Sequence, residues 1–531
     1  MNVLFPFLIV FIMSFYMGCN AFSKLTTKNG TDEKVSIHPG NPENESAELP
    51  TPSELSRNSQ LSVPLVGVYY MPSWNVSGNS KQDLDSFWSC LRGRENCKFL
   101  SDPNSWGPNG RIYNNRYPYD GPFLDKKPIP ALKGFYKRDD PEVAKKQLQY
   151  MKAYGIDFFA YNWYFGRHYY YHKDFAPQSK IFYPRGWETD QSRDGRVKVP
   201  GVEEWDSQLK VLLAENEKLP ENRQMKFAIN WCDDSNERWL NWLEMASPKN
   251  INARINYPGE SPDKQLYLKV HDKITLIWIQ QYFKRNDYLK DGQGRPVVYF
   301  YFPHDTEARA SYYGVELGEL LERSKNLAKK AGFKGIKFIA VTSGAMTSAM
   351  KAYAMPTQWK PKNPSRPWEG GEYGKKMLFQ DYVPRLKKMG FDGLTAYIYH
   401  DFYDQNNRNY QDMRSTYAGH WKKWSEFFKN DPDFEYQIPV AMGWDRRPAG
   451  GTWPQKTGFP SEPEKDRVIS NKSTFKAKLK EARAVREEYK DSNGQTVMVC
   501  CWNEYLEGNH IEPTLGHGFD YLEAIKEVFN P

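Results

Sequence analysis

Cysteine is scarce in this sequence, with six residues among 531. No cysteine spacing matches a zinc site, so the sequence predicts no structural zinc module. Cys90 and Cys97 lie in a polar stretch and could form one disulfide in an oxidising compartment. Cys232, Cys500 and Cys501 fall inside or at the end of apolar runs, where we expect them to be packing thiols.

Charge of one sign does not accumulate anywhere along the chain. The 73 basic and 65 acidic residues give a net charge of +8 that is spread without a dominant block. Helix-turn-helix, zinc-finger and RNA-binding signatures are also missing, so we predict no nucleic-acid partner. No nucleophile-elbow motif occurs around residues 344–348, which disfavours a serine hydrolase.

The first eighteen residues contain no charged side chain. Their apolar run from Val3 to Met17 is short for a membrane span but has the length of a secretory signal. Gly18-Cys19 resembles a bacterial lipoprotein processing site. We therefore predict a signal over residues 1–19, lipidation of Cys19, export to the periplasm or cell surface, and membrane attachment through that lipid. The alternative is an uncleaved N-terminal anchor.

Large apolar residues are nearly absent from residues 20–60, which are rich in Ser, Thr, Asn, Glu, Lys and Pro. Such a stretch cannot bury enough surface to fold, so it is predicted to be a disordered linker. The remaining residues, 61–531, are predicted to form one catalytic domain.

Apolar runs of strand length alternate with helical patterns through that domain, as in a parallel sheet. Eight such strands predict a (β/α)₈ TIM barrel with long βα loops; a doubly wound open sheet is the alternative. That alternative usually has a glycine-rich phosphate turn after its first strand, and Tyr70-Met71-Pro72-Ser73-Trp74 offers none. The predicted strands are Leu65–Tyr70, Ile156–Tyr161, Lys226–Trp231, Val297–Phe302, Ile336–Val341, Leu394–Tyr399, Ile438–Gly443 and Thr496–Trp502. The predicted helices are Pro141–Ala153, Glu204–Glu215, Val315–Ala331, Lys375–Met389, Phe475–Tyr489 and Gly518–Phe529.

Aromatic and amide or carboxylate residues collect at the C-terminal ends of these strands, which form the reactive face of a TIM barrel. Aromatic rings pack on sugar rings and polar groups bind hydroxyls, so this pattern predicts an oligo- or polysaccharide site, although the rings could equally build an aromatic core. His400 and Asp401, with Asp404, would alternatively suit a metal. The predicted substrate-binding residues are Tyr70, Trp74, Asn162, Trp163, Tyr164, Asn230, Trp231, Asp233, His400, Asp401, Trp444, Asp445, Arg446 and Asn503.

Glu504 and Glu507 form the most specific pair, at the end of the last predicted strand. Residues three apart share one face if the chain turns helically, with Cβ atoms roughly 5–6 Å apart. Glycosidases need two carboxyls of this kind, one as acid and one acting on the other side of the sugar. We therefore predict that both are catalytic; the alternative is two solvated glutamates at a helix N-terminus.

Several of these segments resemble glycoside hydrolase family 99 and its wider relatives, the family 99-like or WbsX-like proteins. The resemblance covers nearly everything from Val66 onward. Its most specific segment is Trp502-Asn503-Glu504-Tyr505-Leu506-Glu507-Gly508, followed by Ile511-Glu512-Pro513-Thr514; Tyr161-Asn162-Trp163-Tyr164, Asn230-Trp231 and Gly443-Trp444-Asp445-Arg446 support it.

This resemblance implies a TIM barrel that hydrolyses α-mannoside-type linkages with retention and without a metal; no cofactor is predicted. It also implies that Glu504 is the base toward the substrate's own 2-hydroxyl and that Glu507 is the acid and then the base. Family 99 usually has Trp-His where this chain has Tyr505-Leu506, which places the chain among the broader relatives, some of them labelled glycosyltransferases. A glycosyltransferase and a non-catalytic glycan-binding lipoprotein are therefore the alternative functions.

Overall fold

Parallel strands and helices alternate along the part of the chain that the computed structural model describes. The described residues are 64–72, 136, 139–164, 202–232, 264–303, 306–307, 310, 314–342, 351–353, 376–397, 410–445, 467–489, 494, 496–505, 507–514 and 517–530. They all lie in one compact unit, Ser56–Pro531.

The strands and helices are numbered in chain order within these residues. The strands are β1 Leu65–Tyr70, β2 Phe158–Trp163, β3 Lys226–Cys232, β4 Val297–Tyr301, β5 Lys337–Thr342, β6 Lys351–Tyr353, β7 Lys376–Leu378, β8 Gly393–Ala396, β9 Glu435–Tyr436, β10 Ile438–Ala441, β11 Gly443–Asp445, β12 Arg467–Ile469, β13 Thr496–Cys500, β14 Asn503–Glu504 and β15 Asn509–His510. The helices are α1 Pro141–Ala153, α2 Val202–Glu217, α3 Lys264–Trp278, α4 Leu317–Lys330, α5 Phe379–Met389, α6 Tyr410–Phe428, α7 Lys472–Glu488 and α8 Asp520–Phe529.

The main sheet is parallel and closes on itself. Its strand order is β10-β13-β1-β2-β3-β4-β5-β8-β9, so β9 and β10 stand at opposite ends of the order. Only Gln437 separates these two strands in the chain. The Gln437 amide side chain accepts a hydrogen bond from the Tyr299 hydroxyl at 3.0 Å and donates one to Glu435 at 2.8 Å. Together β9 and β10 therefore act as one kinked strand, and the sheet is an eight-stranded barrel.

Side chains of these strands divide between two buried clusters, as the period-two alternation of a strand requires. The inner cluster contains no helix residue among those described and includes Tyr69, Phe158, Tyr299 and Met498. The outer cluster takes the alternate strand residues together with apolar residues of the surrounding helices, such as Leu148 of α1. The inner cluster therefore fills the barrel, and the outer one joins the barrel to its helices.

The predicted barrel is confirmed, and each of its eight predicted strands overlaps an observed one. All six predicted helices form, although residues 376–378 are strand β7 rather than helix. The helices α3 and α6 were not predicted. The prediction for Cys500 and Cys501 is wrong, because these two residues are joined by a disulfide. Cys232 is a buried free thiol, as expected.

No helix within the described ranges is both long and apolar enough to cross a membrane.

Gly67 should be intolerant of a larger side chain, because it faces the filled barrel interior. A Cβ atom there would lie 2.2 Å from the Phe158 ring and 2.5 Å from the Met498 sulfur. We expect Gly67→Ala to lower the free energy of unfolding by about 1–3 kcal/mol, as overpacked cores do. The check is chemical denaturation followed by circular dichroism.

The matched control for that substitution is Gly419, an exposed glycine inside α6 with no atom within 4 Å of an added Cβ. Gly419→Ala should raise stability by roughly 0.5–1 kcal/mol, since alanine is the better helix former. Equal effects of the two substitutions would contradict the assignment of Gly67 to the barrel interior.

Candidate active site

Glu504 and Glu507 are carried by a short hairpin that follows the last barrel strand. In it, Asn503 and Glu504 pair antiparallel with His510 and Asn509, and the backbone NH of Gly508 donates to the Tyr505 carbonyl at 3.2 Å. Gly508 has a φ of 62°, a conformation that glycine adopts without steric cost. The sequence analysis considered a helical turn between the two glutamates. The chain forms a hairpin there instead. A tight turn brings them to the same end of the barrel.

The charges of both glutamates act on the phenol of Tyr397, which follows β8. Glu504 is buried and Glu507 is half-buried. Burial raises the pKa of Tyr397 well above its usual range, and the negative charges of Glu504 and Glu507 raise it further. The phenol therefore stays protonated at neutral pH. It is a fixed hydrogen-bond donor beside two acidic groups.

Two asparagines hold the Tyr397 hydroxyl in place. Asn230 of β3 donates to the side-chain oxygen of Asn162 at 2.8 Å, and Asn162 of β2 donates to the Tyr397 oxygen at 3.2 Å. Both amides are buried. Because the phenol oxygen accepts from Asn162, its own hydrogen can be directed toward a carboxylate or a substrate oxygen. Asn162 and Asn230, two of the predicted substrate-binding residues, thus lie beside Tyr397.

Asn503 is adjacent to Glu504, but its side chain is hydrogen-bonded to the backbone of Met71. Its oxygen accepts from the NH of Met71 at 2.8 Å, and its NH₂ group donates to the Met71 carbonyl at 2.9 Å. These bonds tie the end of β13 to the end of β1. We therefore assign Asn503 a structural role at the mouth of the barrel, in place of the predicted contact with substrate.

Three of the predicted rings lie outside the barrel. Trp163 and Trp231 are buried and both contact Trp278 of α3, with ring centroids 5.8 and 5.1 Å apart. Tyr70 is buried against α1, where its hydroxyl donates to Gln147. Strand alternation is the reason, since the residue before each of these rings points inward. The structure does not bring these three rings to the substrate site.

Tyr164 is buried close to the Asn162 side chain. The Tyr164 hydroxyl and the Asn162 amide both contact the sulfur of Met71, at 3.7 and 3.5 Å. Tyr164 is also among the residues whose charge would raise the pKa of Tyr397. It therefore belongs with the residues gathered around Tyr397.

Several predicted residues lie outside the described part of the chain. For Trp444 and Asp445 the structure describes the backbone, in β11, but not the side chains. Within the described ranges, no group of His, Cys, Asp and Glu could hold a metal ion. The undescribed residues are Cys19, Trp74, Cys90, Cys97, Asp233, His400, Asp401, Asp404 and Arg446.

Glu512, which the sequence did not single out as a functional residue, lies fully buried behind the hairpin. Its carboxylate accepts hydrogen bonds from the hydroxyls of Tyr505 and Tyr136 and from the amide of Gln147. Burial raises the pKa of Glu512 to about 7, and the three donors oppose that rise. A glutamate beside a proline and an apolar residue gives no local signal of such a network, because its partners are distant in sequence.

Tyr397 is the other residue that the sequence analysis missed. Its ring lies 4.9 Å from that of Tyr69 and 5.1 Å from that of Tyr301, within the inner cluster. Strand alternation could have found it, since Thr395 and Tyr397 fall on the same face of a continuing strand.

Glu512 should make the stability of the protein depend on pH. Its pKa of about 7 in the folded protein exceeds the ordinary value of 4.5, so the folded state holds the proton more tightly. The stability it contributes is complete below about pH 4.5 and is lost as the pH rises through about 7. The full difference is on the order of 3 kcal/mol.

Glu512→Gln lacks this titration. The free energy of unfolding of the variant, relative to wild type, should therefore increase between pH 5 and pH 8, because titrations elsewhere cancel in the difference. Urea unfolding at one-unit pH intervals measures it. A difference that stays constant over this interval would contradict the raised pKa of Glu512.

Comparison with known proteins gives one family and a set of similar structures. No curated protein sequence matches the chain. Solved structures similar to it include an endo-α-mannosidase of glycoside hydrolase family 99 from Bacteroides thetaiotaomicron in complex with bis-tris propane. The two chains are 12% identical, the match covers 87% of this chain and 95% of that one, and the TM-score is 0.45. Another, described as a glycoside hydrolase-like protein, has 12% identity, coverage of 88% and 94%, and a TM-score of 0.47. At this identity and TM-score, neither likeness assigns an activity to the chain.

The family model that matches is described as Glycosyltransferase WbsX and covers residues 209–525. That range contains the strands from β3 to β13 and the hairpin with Glu504 and Glu507. Because the match spans more than half of the 531 residues, the chain belongs to the WbsX family, as the resemblance to WbsX-like proteins predicted.

Proposed function

We propose that the chain is a glycoside hydrolase that cleaves a complex, α-mannose-containing glycan by carboxylate acid/base catalysis with retention. The observation that carries this proposal is that the hairpin after β13 holds both Glu504 and Glu507, and that both charges act on the Tyr397 phenol at the C-terminal mouth of the barrel. That mouth is the reactive face of TIM-barrel enzymes. The pair supplies two carboxyls, and the phenol supplies a neutral donor that is subject to the charge of both.

The different exposure of the two carboxyls supports different roles. Glu504 is buried and would act as the base toward the sugar's 2-hydroxyl. Glu507 is half-buried at the turn and would protonate the leaving oxygen, then activate water.

The proposal includes export and lipid anchoring. It is supported by the uncharged apolar run of the first eighteen residues and by Gly18-Cys19. The glycan would then meet the enzyme outside the cytoplasm.

Glycosyl transfer is the second candidate function, favoured by the description of the WbsX family as a glycosyltransferase family. A transferase requires an activated donor such as a sugar nucleotide, and no Asp-x-Asp metal motif stands at a predicted strand end. A hydrolase releases sugar from a glycan with no nucleotide present.

Replacing Glu507 by Gln should lower kcat for α-mannan hydrolysis by roughly 10²–10⁴-fold, the usual contribution of general acid–base catalysis. The measurement is the release of reducing ends from a panel of α-mannans without added nucleotide. Glu221→Gln, at an exposed glutamate far along the chain, is the matched control and should retain full activity. Full activity in Glu507→Gln would refute its role, and activity that appears only with a sugar nucleotide would favour the transferase.

A mannosyl fluoride separates the two carboxyls, because fluoride departs with little need for protonation. Glu507→Gln should therefore release fluoride in its first turnover nearly as fast as wild type, although later turnovers stay slow because the same residue activates water in the second step. Glu504→Gln should lose activity on both substrates, because the proposed base is needed in each case. Equal losses on both substrates for the two variants would contradict the division of roles.

A further inference from the structure

We propose that Glu512 is a positioning residue that holds the two neighbours of Glu504 and thereby sets the direction of the Glu504 and Glu507 carboxylates. The inference rests on the proposed function, in which those carboxylates perform the chemistry. Glu512 itself is fully buried and acts through other side chains.

Hydrogen bonds link Glu512 to both sides of Glu504. The Tyr505 hydroxyl donates directly to one carboxylate oxygen of Glu512. The Tyr136 hydroxyl donates to the same oxygen at 3.0 Å and accepts from the Asn503 amide at 3.4 Å. Asn503 and Tyr505 are the residues immediately before and after Glu504, so a single carboxylate oxygen restrains the backbone on both sides of it.

The backbone of Glu512 adds a further tie, and its other oxygen anchors the network to the helices. The Glu512 NH donates to the Trp502 carbonyl at 2.8 Å. Gln147 of α1 donates to the second carboxylate oxygen at 2.8 Å. Gln147 in turn accepts from Tyr70, whose hydroxyl accepts from Gln208 of α2 at 2.6 Å. The hairpin is thus fixed to regular elements of the barrel, which hold a site more rigidly than loops do.

The chemistry of these contacts favours a carboxylate at position 512. Tyr505, Tyr136 and Gln147 all donate to it, and Glu512 offers only acceptors once it ionises as the pH rises through about 7. Hydrogen bonds to a charged acceptor are roughly twice as strong as neutral ones. The phenols that face Glu512, those of Tyr70, Tyr136 and Tyr505, have pKa values well above the usual range because they are buried, so they remain neutral donors.

An apolar residue would pack this position without the cost of burying a charge. The buried carboxylate of Glu512 is therefore better explained by its role in orienting the neighbours of Glu504 than by a gain in the stability of the folded protein. Among the described residues of the turn, the backbone NH of Gly508 donates to the Tyr505 carbonyl, and the Tyr505 hydroxyl links the turn to the buried Glu512.

Tyr505→Phe tests the proposal, since it removes that hydroxyl and keeps the ring beside His510. We expect kcat on α-mannan to fall at least tenfold with KM within twofold of wild type. Amide hydrogen exchange of the peptide covering residues 503–509, measured by mass spectrometry, should become several-fold faster. Glu512→Leu should accelerate exchange in the same peptide, and the double variant should exchange no faster than Glu512→Leu alone, because both changes remove the same bond.

Tyr288→Phe is the matched control. It removes another buried hydroxyl, which donates to the Val297 carbonyl at 2.8 Å, and should leave kcat and the 503–509 peptide unchanged. Unchanged exchange and kcat in Tyr505→Phe would overturn the proposal, as would equal changes in Tyr288→Phe. If wild type hydrolyses no glycan, the proposed function fails while the exchange measurement still decides whether Glu512 restrains the turn.

Discussion

The closed barrel has room inside only for the inward-facing side chains of its own strands. This constraint determines where the candidate site lies. Each strand sends only alternate residues inward, and the inward layer is filled by side chains such as Tyr69, Tyr299 and Met498. A substrate cannot enter this packed interior. The inward residues one step nearer the C-terminal ends, Asn162 and Asn230, are polar and buried, and they hydrogen-bond to each other above this layer. Their position is a consequence of strand register, and it is the reason that the Tyr397 hydroxyl is held there.

The same constraint explains what the sequence could and could not predict. Apolar runs located the eight barrel strands, because strands buried on both faces contain few polar residues. The apolar runs did not reveal whether a residue points into the barrel or toward the helices. Aromatic and polar residues are both common at strand ends, so neighbouring residues of the two kinds could not be told apart. Trp163 and Trp231 therefore seemed equivalent to Asn162 and Asn230, although one residue of register places them on opposite sides of the sheet.

The hairpin with Glu504 and Glu507 shows a different limit of sequence analysis. Glu-x-x-Glu spacing fits a helical turn and a tight hairpin equally well, and the left-handed backbone of Gly508 decides for the hairpin. The support behind it is non-local, since Tyr136 and Glu512 are 376 residues apart in the chain. Motif spacing could predict that one short segment carries two carboxyls. It could not predict that a third, buried carboxylate holds them.

A family described as glycosyltransferases and a proposed hydrolase can share one catalytic centre. Both reactions need an acid, a base and a donor near the anomeric carbon, and they differ in whether water or a sugar hydroxyl attacks. In this chain the carboxylate pair is fixed by the end of β13 and by contacts to β1, α1 and α2. The chain between β1 and α1 spans about seventy residues, and long segments also follow β2 and β3. Access of water and choice of sugar can therefore change in these βα connections while the centre beneath them stays the same.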